Sequence, residues 1–180
     1  MKTIKILIVA FIGIIATSCH FDINLGEING NGNVTTETRE VGDFTGVRGS
    51  AGMDVFLTQG SENKVVIEAD ENLMDNIEAY VENGVLKITT KKSIGRSKSQ
   101  KAHVTYVALE SIEASSGSDI KARELEVISC KASASSGADI AVNVKEQMEG
   151  KASSGGDIKY YGNPSDVSVK DGTSGNVRKM

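Results

Sequence analysis

Three passages of the chain, Ala114-Ser-Ser-Gly-Ser-Asp-Ile120, Ala134-Ser-Ser-Gly-Ala-Asp-Ile140 and Ala152-Ser-Ser-Gly-Gly-Asp-Ile158, are near copies of one another. Their aspartates stand 20 and then 18 residues apart. An earlier, degenerate copy runs from Gly49 to Val55 and puts Asp54 in the aspartate position. The residue after the aspartate is branched and apolar each time, at Ile120, Ile140 and Ile158, and Val177 continues the series. Two residues further on come Ala122, Val142 and Tyr160, and a later strand supplies Ile128, Met148 and Val167. Residues two apart share one face of a strand, so these are read as inward positions that recur once per repeat.

A period of 18 to 20 residues, with short strand segments and no intervening helix, predicts an all-β parallel β-helix, or β-solenoid, with one repeat per coil. Leucine-rich repeats need recurrent leucines and an asparagine or cysteine ladder that are missing, and helical repeats are longer. Gly52, Gly117, Gly137 and Gly155 are expected at the corners, where a positive φ is cheapest for glycine. Asp54, Asp119, Asp139 and Asp157 occupy equivalent positions, and the last three would stack one coil apart, where like charges repel by roughly 1 kcal/mol in water. Hydrogen bonds from the corner serines or backbone N–H groups to each carboxylate are the expected offset, making these structural turn residues. The calcium-binding β-roll also uses Gly-x-Asp, but at a spacing of about nine residues and after Gly-Gly. This chain has neither feature, and no metal or cofactor is assigned.

The first 18 residues carry a basic start at Lys2 and Lys5, an apolar run from Ile6 to Ile15, and small residues before Cys19. That is a secretory signal, and the run is shorter than the roughly 20 residues a membrane span takes. Small residues ahead of a cysteine resemble the lipobox of bacterial lipoproteins, which implies lipidation of Cys19 and attachment to the membrane through the lipid. Residues 19–30 have no period and are read as a tether, leaving 31–180 as the domain. With Cys19 lipidated, Cys130 is a lone thiol with no disulfide partner, expected to act as a small buried hydrophobe. Losing Lys2 and Lys5 moves the formal charge from −4 to −6, which argues against nucleic acid as a partner.

In the N-terminal half, two strand-like runs between Val55 and Ala69 flank the polar turn Gln59-Gly-Ser-Glu-Asn63, which suits a hairpin or a coil corner. Leu73, Ile77, Tyr80 and Val81 follow a helical period over 70–83, with Asp70 placed to cap it, so one short helix is expected there. Asn83-Gly84 then turns the chain into a strand at Val85–Thr89. Lys91 to Lys101 reads as a basic polar loop.

The lipoprotein start, Val41-Gly-Asp-Phe-Thr-Gly-Val47 leading into Gly52-Met-Asp-Val55, Asp70-Glu-Asn-Leu-Met74, Asn83-Gly-Val-Leu86 and the Gly-x-Asp-Ile repeats together resemble the auto-transporter adhesin, head GIN domain family. The resemblance covers about Gly32 to the C-terminus. It implies right-handed winding of the β-helix and a secreted or lipid-anchored protein of the Gram-negative envelope, on the outer membrane and facing the periplasm or the outside. It brings no reaction and no functional residues.

No nucleophile, base and orienter set is present, and His20 and His103 stand apart from one another. The function expected is therefore that of an envelope lipoprotein without catalysis, an adhesion or interaction module presenting a repetitive Ser/Asp/Lys face to a glycan or an envelope protein. Two alternatives are a structural protein that assembles as a homo-oligomer through its coil ends, and a polysaccharide-active enzyme using paired carboxylates.

Overall fold

The computed structural model describes residues 26–180, and of 123–126 the backbone only. The leader and Cys19 lie outside the described residues. Thirteen strands form one nearly closed, barrel-like sheet: β1 (Val34–Arg39), β2 (Gly46–Gly49), β3 (Asp54–Gln59), β4 (Lys64–Asp70), β5 (Ile77–Glu82), β6 (Val85–Thr90), β7 (Gln100–Tyr106), β8 (Ser111–Ala114), β9 (Asp119–Ala134), β10 (Asp139–Ala152), β11 (Asp157–Tyr161), β12 (Asp166–Asp171) and β13 (Asn176–Lys179).

The sheet is mixed, where a parallel one was expected. Antiparallel pairs join β1 to β4, β4 to β7 and β5 to β6, and the remaining pairings are parallel. The parallel pairings make two stacks. One runs β6, β2, β8, the second part of β9, the second part of β10, then β12. The other runs β7, β3, the first part of β9, the first part of β10, β11, then β13. Each coil gives one strand to each stack; the chain turns between them at Ala51-Gly52 after β2 and at the Ser-Gly repeats from β8 onward, while β6 and β7 are joined through residues 91–99. The stacks are not sequential at their start, because the β2–β3 coil lies between the β6–β7 coil and the β8–β9 coil.

The core between the stacks is built from columns of inward side chains in register. Leu86, Val47, Ile112, Ala132, Gly150 and Val169 form one, and Ala102, Val55, Ile120, Ile140, Ile158 and Val177 another. Burying one such isoleucine contributes about 1.5–3 kcal/mol, but only while the coils above and below cover it. Val169, with a strand on one side only, is 43% exposed.

The difference between the two repeat spacings has a local cause. Against β10, β9 carries three additional residues after Ala122, and β10 carries one additional residue between Val144 and Gln147. The net excess of two residues on β9 is the step from 18 to 20. This irregularity also moves a predicted core position. Met148 registers with Cys130, not with Ile128, and Ile128 is 63% exposed while Cys130 is buried.

The expected helix over 70–83 is a short 3-10 turn, Glu71–Asn76, followed by β5. Asn83 (φ 52) and Gly84 (φ 75) are both left-handed, as a type I′ turn demands, and they close a β5–β6 hairpin. That hairpin imposes a two-residue period: Ile77, Ala79 and Val81 pack on the core, whereas Tyr80, which had completed the helical pattern, is exposed. Nor does Asp70 cap the turn. Its buried carboxylate accepts from the N–H groups of Gly32 (3.0 Å), Lys98 (3.1 Å) and Ser99 (3.2 Å). It thus ties the entering chain to the basic loop. Gly30 passes so close to it that a Cβ there would lie 1.8 Å from Oδ2. Residues 28–30, at the end of the predicted tether, are docked on the same loop through Ile28 N to Ser93 O and Gly30 N to Arg96 O. The turn after β3 closes no hairpin, since β7 lies between β3 and β4.

Close packing of successive corners generates a test. Gly156 registers with Ala138, yet a Cβ on Gly156 would meet the Ala134 carbonyl carbon at 2.5 Å, whereas one on Gly137 has open space around it. G137A carries only the left-handed penalty, roughly 1–2 kcal/mol, whereas Gly156 is not left-handed and G156A instead forces a clash with backbone. Thermal melts are therefore expected to rank the parent above G137A and G137A above G156A.

Candidate functional site

Each corner is a four-residue turn closed by an N–H to C=O bond, Ser118 to Ser115, Ala138 to Ser135 and Gly156 to Ser153. The two central residues are left-handed in all three: Ser116 and Gly117 (φ 53 and 72), Ser136 and Gly137 (55 and 71), Ser154 and Gly155 (50 and 77). Ala51 and Gly52 (58 and 74) do the same ahead of Asp54. Serine at the first of these positions carries the greater steric cost, because left-handed backbone is penalised wherever a Cβ is present. The small residue after the glycine, Ser118, Ala138 or Gly156, is buried, which no sequence pattern marks. Ser118 donates its hydroxyl to Met53 O at 2.5 Å inside the core.

Emerging from these corners, Asp54, Asp119, Asp139 and Asp157 stand in register on adjacent strands, and Asn176 completes the row. Their carboxylates point outward. Among the described residues none of the corner serines donates to Asp119, Asp139 or Asp157, so the expected turn-stabilising bonds are not what holds the row. Lys121, whose ammonium is 4.0 Å from Asp54, is the cation in ion-pair reach of it.

Two residues along the same face lies a second row, Phe56, Lys121, Ala141, Lys159 and Arg178. The Lys121 ammonium sits 5.1 Å from the centre of the Phe56 ring, and His103 stacks on that ring at 5.4 Å. Acidic and basic rows together line an open depression of about 480 Å³ with Asp119, Asp139, Lys121, Lys159, Tyr161 and Arg178 around it. A row of hydrogen-bond acceptors thus runs beside a row that bears three cations. No group of three or more metal-ligating side chains occurs among the described residues.

Glu68 accepts from Lys101 Nζ (2.9 Å) and Ser99 Oγ (2.8 Å), with His103 Nε2 at 3.4 Å. The Lys101 ammonium, and then the Ser99 hydroxyl, hold its carboxyl down at about 2. His103 is engaged by Glu68 on one side and Phe56 on the other. Lys87 lowers the Glu82 carboxyl in the same way. Burial pushes the Cys130 thiol up to about 12, which leaves it protonated and unreactive.

The sequence model for the family described as "Putative auto-transporter adhesin, head GIN domain" matches residues 43–123 and 111–164, more than half of the chain. Among solved structures, a "putative adhesin" from Parabacteroides distasonis ATCC 8503 is 15% identical, with a TM-score of 0.54, over 86% of this chain and 100% of that one. A "putative adhesin" from Bacteroides fragilis NCTC 9343 is 16% identical, with a TM-score of 0.45, over 85% and 100%. A "putative lipid binding protein" from Parabacteroides distasonis ATCC 8503 is 18% identical, with a TM-score of 0.46, over 86% and 100%. Likeness at these identities concerns the fold alone. No curated protein matches the chain.

An unsupported row of like charges costs stability. Replacing Asp119, Asp139 and Asp157 together by Asn is expected to raise the melting temperature at low salt, by roughly 2–4 °C for each kcal/mol of repulsion relieved, and the gain should fade as salt is added. A drop in melting temperature would instead mean that the carboxylates support the turns.

Proposed function

This chain belongs to the auto-transporter adhesin, head GIN domain family, and we propose that it is a non-catalytic interaction module of the bacterial cell envelope. In this reading Cys19 carries the lipid that anchors the chain at the outer membrane, residues 19–30 lead away from it, and the parallel coils wind as in a right-handed β-helix. The domain presents the face bearing the aspartate row and the Lys121, Lys159 and Arg178 row to an anionic glycan. Lys121 and Lys159 are two strands apart, about 10 Å at the usual strand spacing, so successive acidic groups of an extended polymer can meet successive cations. The aspartates accept bonds from sugar hydroxyls.

The observation that carries this reading is an acceptor row beside a cation-bearing row over an open, shallow surface. A flat array built on strands suits many weak contacts to a long ligand better than enclosure of a small one. The carboxylates with displaced ionisation, Glu68 and Glu82, are both lowered, the opposite of what a general acid of sugar chemistry needs.

A glycan array probed with the chain from residue 20 onward tests it. Binding to acidic polysaccharides is expected, weakened at least about tenfold by K121A/K159A/R178A and changed in selectivity by the triple Asp→Asn substitution, with strong salt dependence. Binding that is indifferent to both sets of substitutions would reject this face.

A further inference from the structure

Among the described residues, β1, β5, β12 and β13 each pair with a strand on one side only, through β4, β6, β10 and β11. An open strand edge is a template for another strand, and the side chains on each edge decide whether that strand can be a second copy of itself. On β5, an antiparallel copy centred on Tyr80 would bring Glu78 opposite Glu82, two acids face to face. β1 neutralises its own charge, since Arg39 is bonded to Glu37 at 3.0 Å and to Met74 O at 2.7 Å. β13 carries two cations, Arg178 and Lys179, and no acid.

β12 differs. Its sequence, Asp166-Val-Ser-Val-Lys-Asp171, is nearly symmetric about Ser168. Its register with Gln147, Met148, Glu149, Gly150, Lys151 and Ala152 puts Val167 and Val169 on the core side and Asp166, Ser168 and Lys170 on the outer side. The two valines remain 41% and 43% exposed, although the residues they register with, Met148 and Gly150, are buried. An antiparallel copy centred on Ser168 places Asp166 opposite Lys170 of the copy, twice, and Val167 opposite Val169 of the copy, twice. Directly opposed side chains lie about 4.5–5.5 Å apart, close enough for both contacts. Asp166 accepts from Gln147 at 3.1 Å and retains lone pairs for a second donor, while Lys170 carries no ion pair among the described residues.

We infer that two copies of this chain associate about a two-fold axis through Ser168, pairing β12 antiparallel with its own counterpart. The contact is isologous, so it closes at a dimer. It covers the two valines that the last coil leaves exposed, and both ligand-facing rows lie on the other stack and stay open. A dimer would double the number of glycan contacts, but the pairing itself rests on β12 and holds whether or not the glycan reading does.

The test uses the full chain in mild detergent, with Cys19→Ser in every arm so that residue 19 forms no disulfide. S168C is expected to cross-link into a dimer under mild oxidation, because opposed residues of an antiparallel pair have Cα separations of about 4.5–5.5 Å, inside the disulfide range. S133C, an outward position in the middle of the same stack, is expected to stay monomeric. Sedimentation should show a concentration-dependent dimer, weakened at least about tenfold by K170D, which opposes two acids, and restored by D166K/K170D, which exchanges the charges. Both positions are exposed, so unchanged circular dichroism will show that each variant folds. A monomer up to about 1 mM, or a dimer that ignores the charge exchange and fails to cross-link at 168, overturns the inference.

Discussion

Four pairs of consecutive left-handed residues, Ala51-Gly52, Ser116-Gly117, Ser136-Gly137 and Ser154-Gly155, set the corners that lead into Asp54, Asp119, Asp139 and Asp157. An L residue resists that conformation, and at these corners a small residue followed by glycine supplies it at tolerable cost. Because the bend is the same at each of these corners, the strand leaving it starts at the same point, and Asp54, Asp119, Asp139 and Asp157 fall into register. Register then aligns the inward columns. A one-residue slip would turn Ile120, Ile140 and Ile158 out to solvent, so the corner geometry and the core enforce one another.

This coupling explains what could be read from the sequence. The repeat announced the coil, the inward isoleucines and the corner glycines, because each of those follows from short-range geometry that recurs. Local departures from the repeat were not legible. Ile128 sat at the right spacing for the core, but the irregular pairing of β9 with β10 displaced it and gave its place to Cys130. Leu73, Ile77, Tyr80 and Val81 matched a helix until a tight Asn-Gly hairpin imposed a different period on the same residues. Asp70 looked like a cap and is instead the acceptor that joins residues 32, 98 and 99, a meeting of distant segments that no local pattern encodes. The antiparallel strands that make the sheet mixed all lie before Ser111, where the repeat is weakest.

The same logic shaped the outer surface. Asp119, Asp139 and Asp157 were expected to accept bonds at their turns, yet among the described residues the Ser115–Ser118, Ser135–Ala138 and Ser153–Gly156 turns each close through a backbone N–H to C=O bond. Their carboxylates are left on the face together with Lys121, Lys159 and Arg178. A repeating backbone thus produces repeating chemistry at strand spacing, at some electrostatic cost, and that is a surface suited to a repeating ligand. The irregular part of the chain covers one end of the stack, and β12 and β13 form the other.

Amide hydrogen exchange resolved along the chain tests this account most directly, because stability in a stack of mutually covering coils must depend on position. The account predicts slowest exchange in the middle coils, around 112–114, 120–122, 132–134, 140–142 and 150–152, with protection falling stepwise toward 166–179. Strong protection confined to the 77–90 hairpin, with free exchange across 119–158, would contradict it.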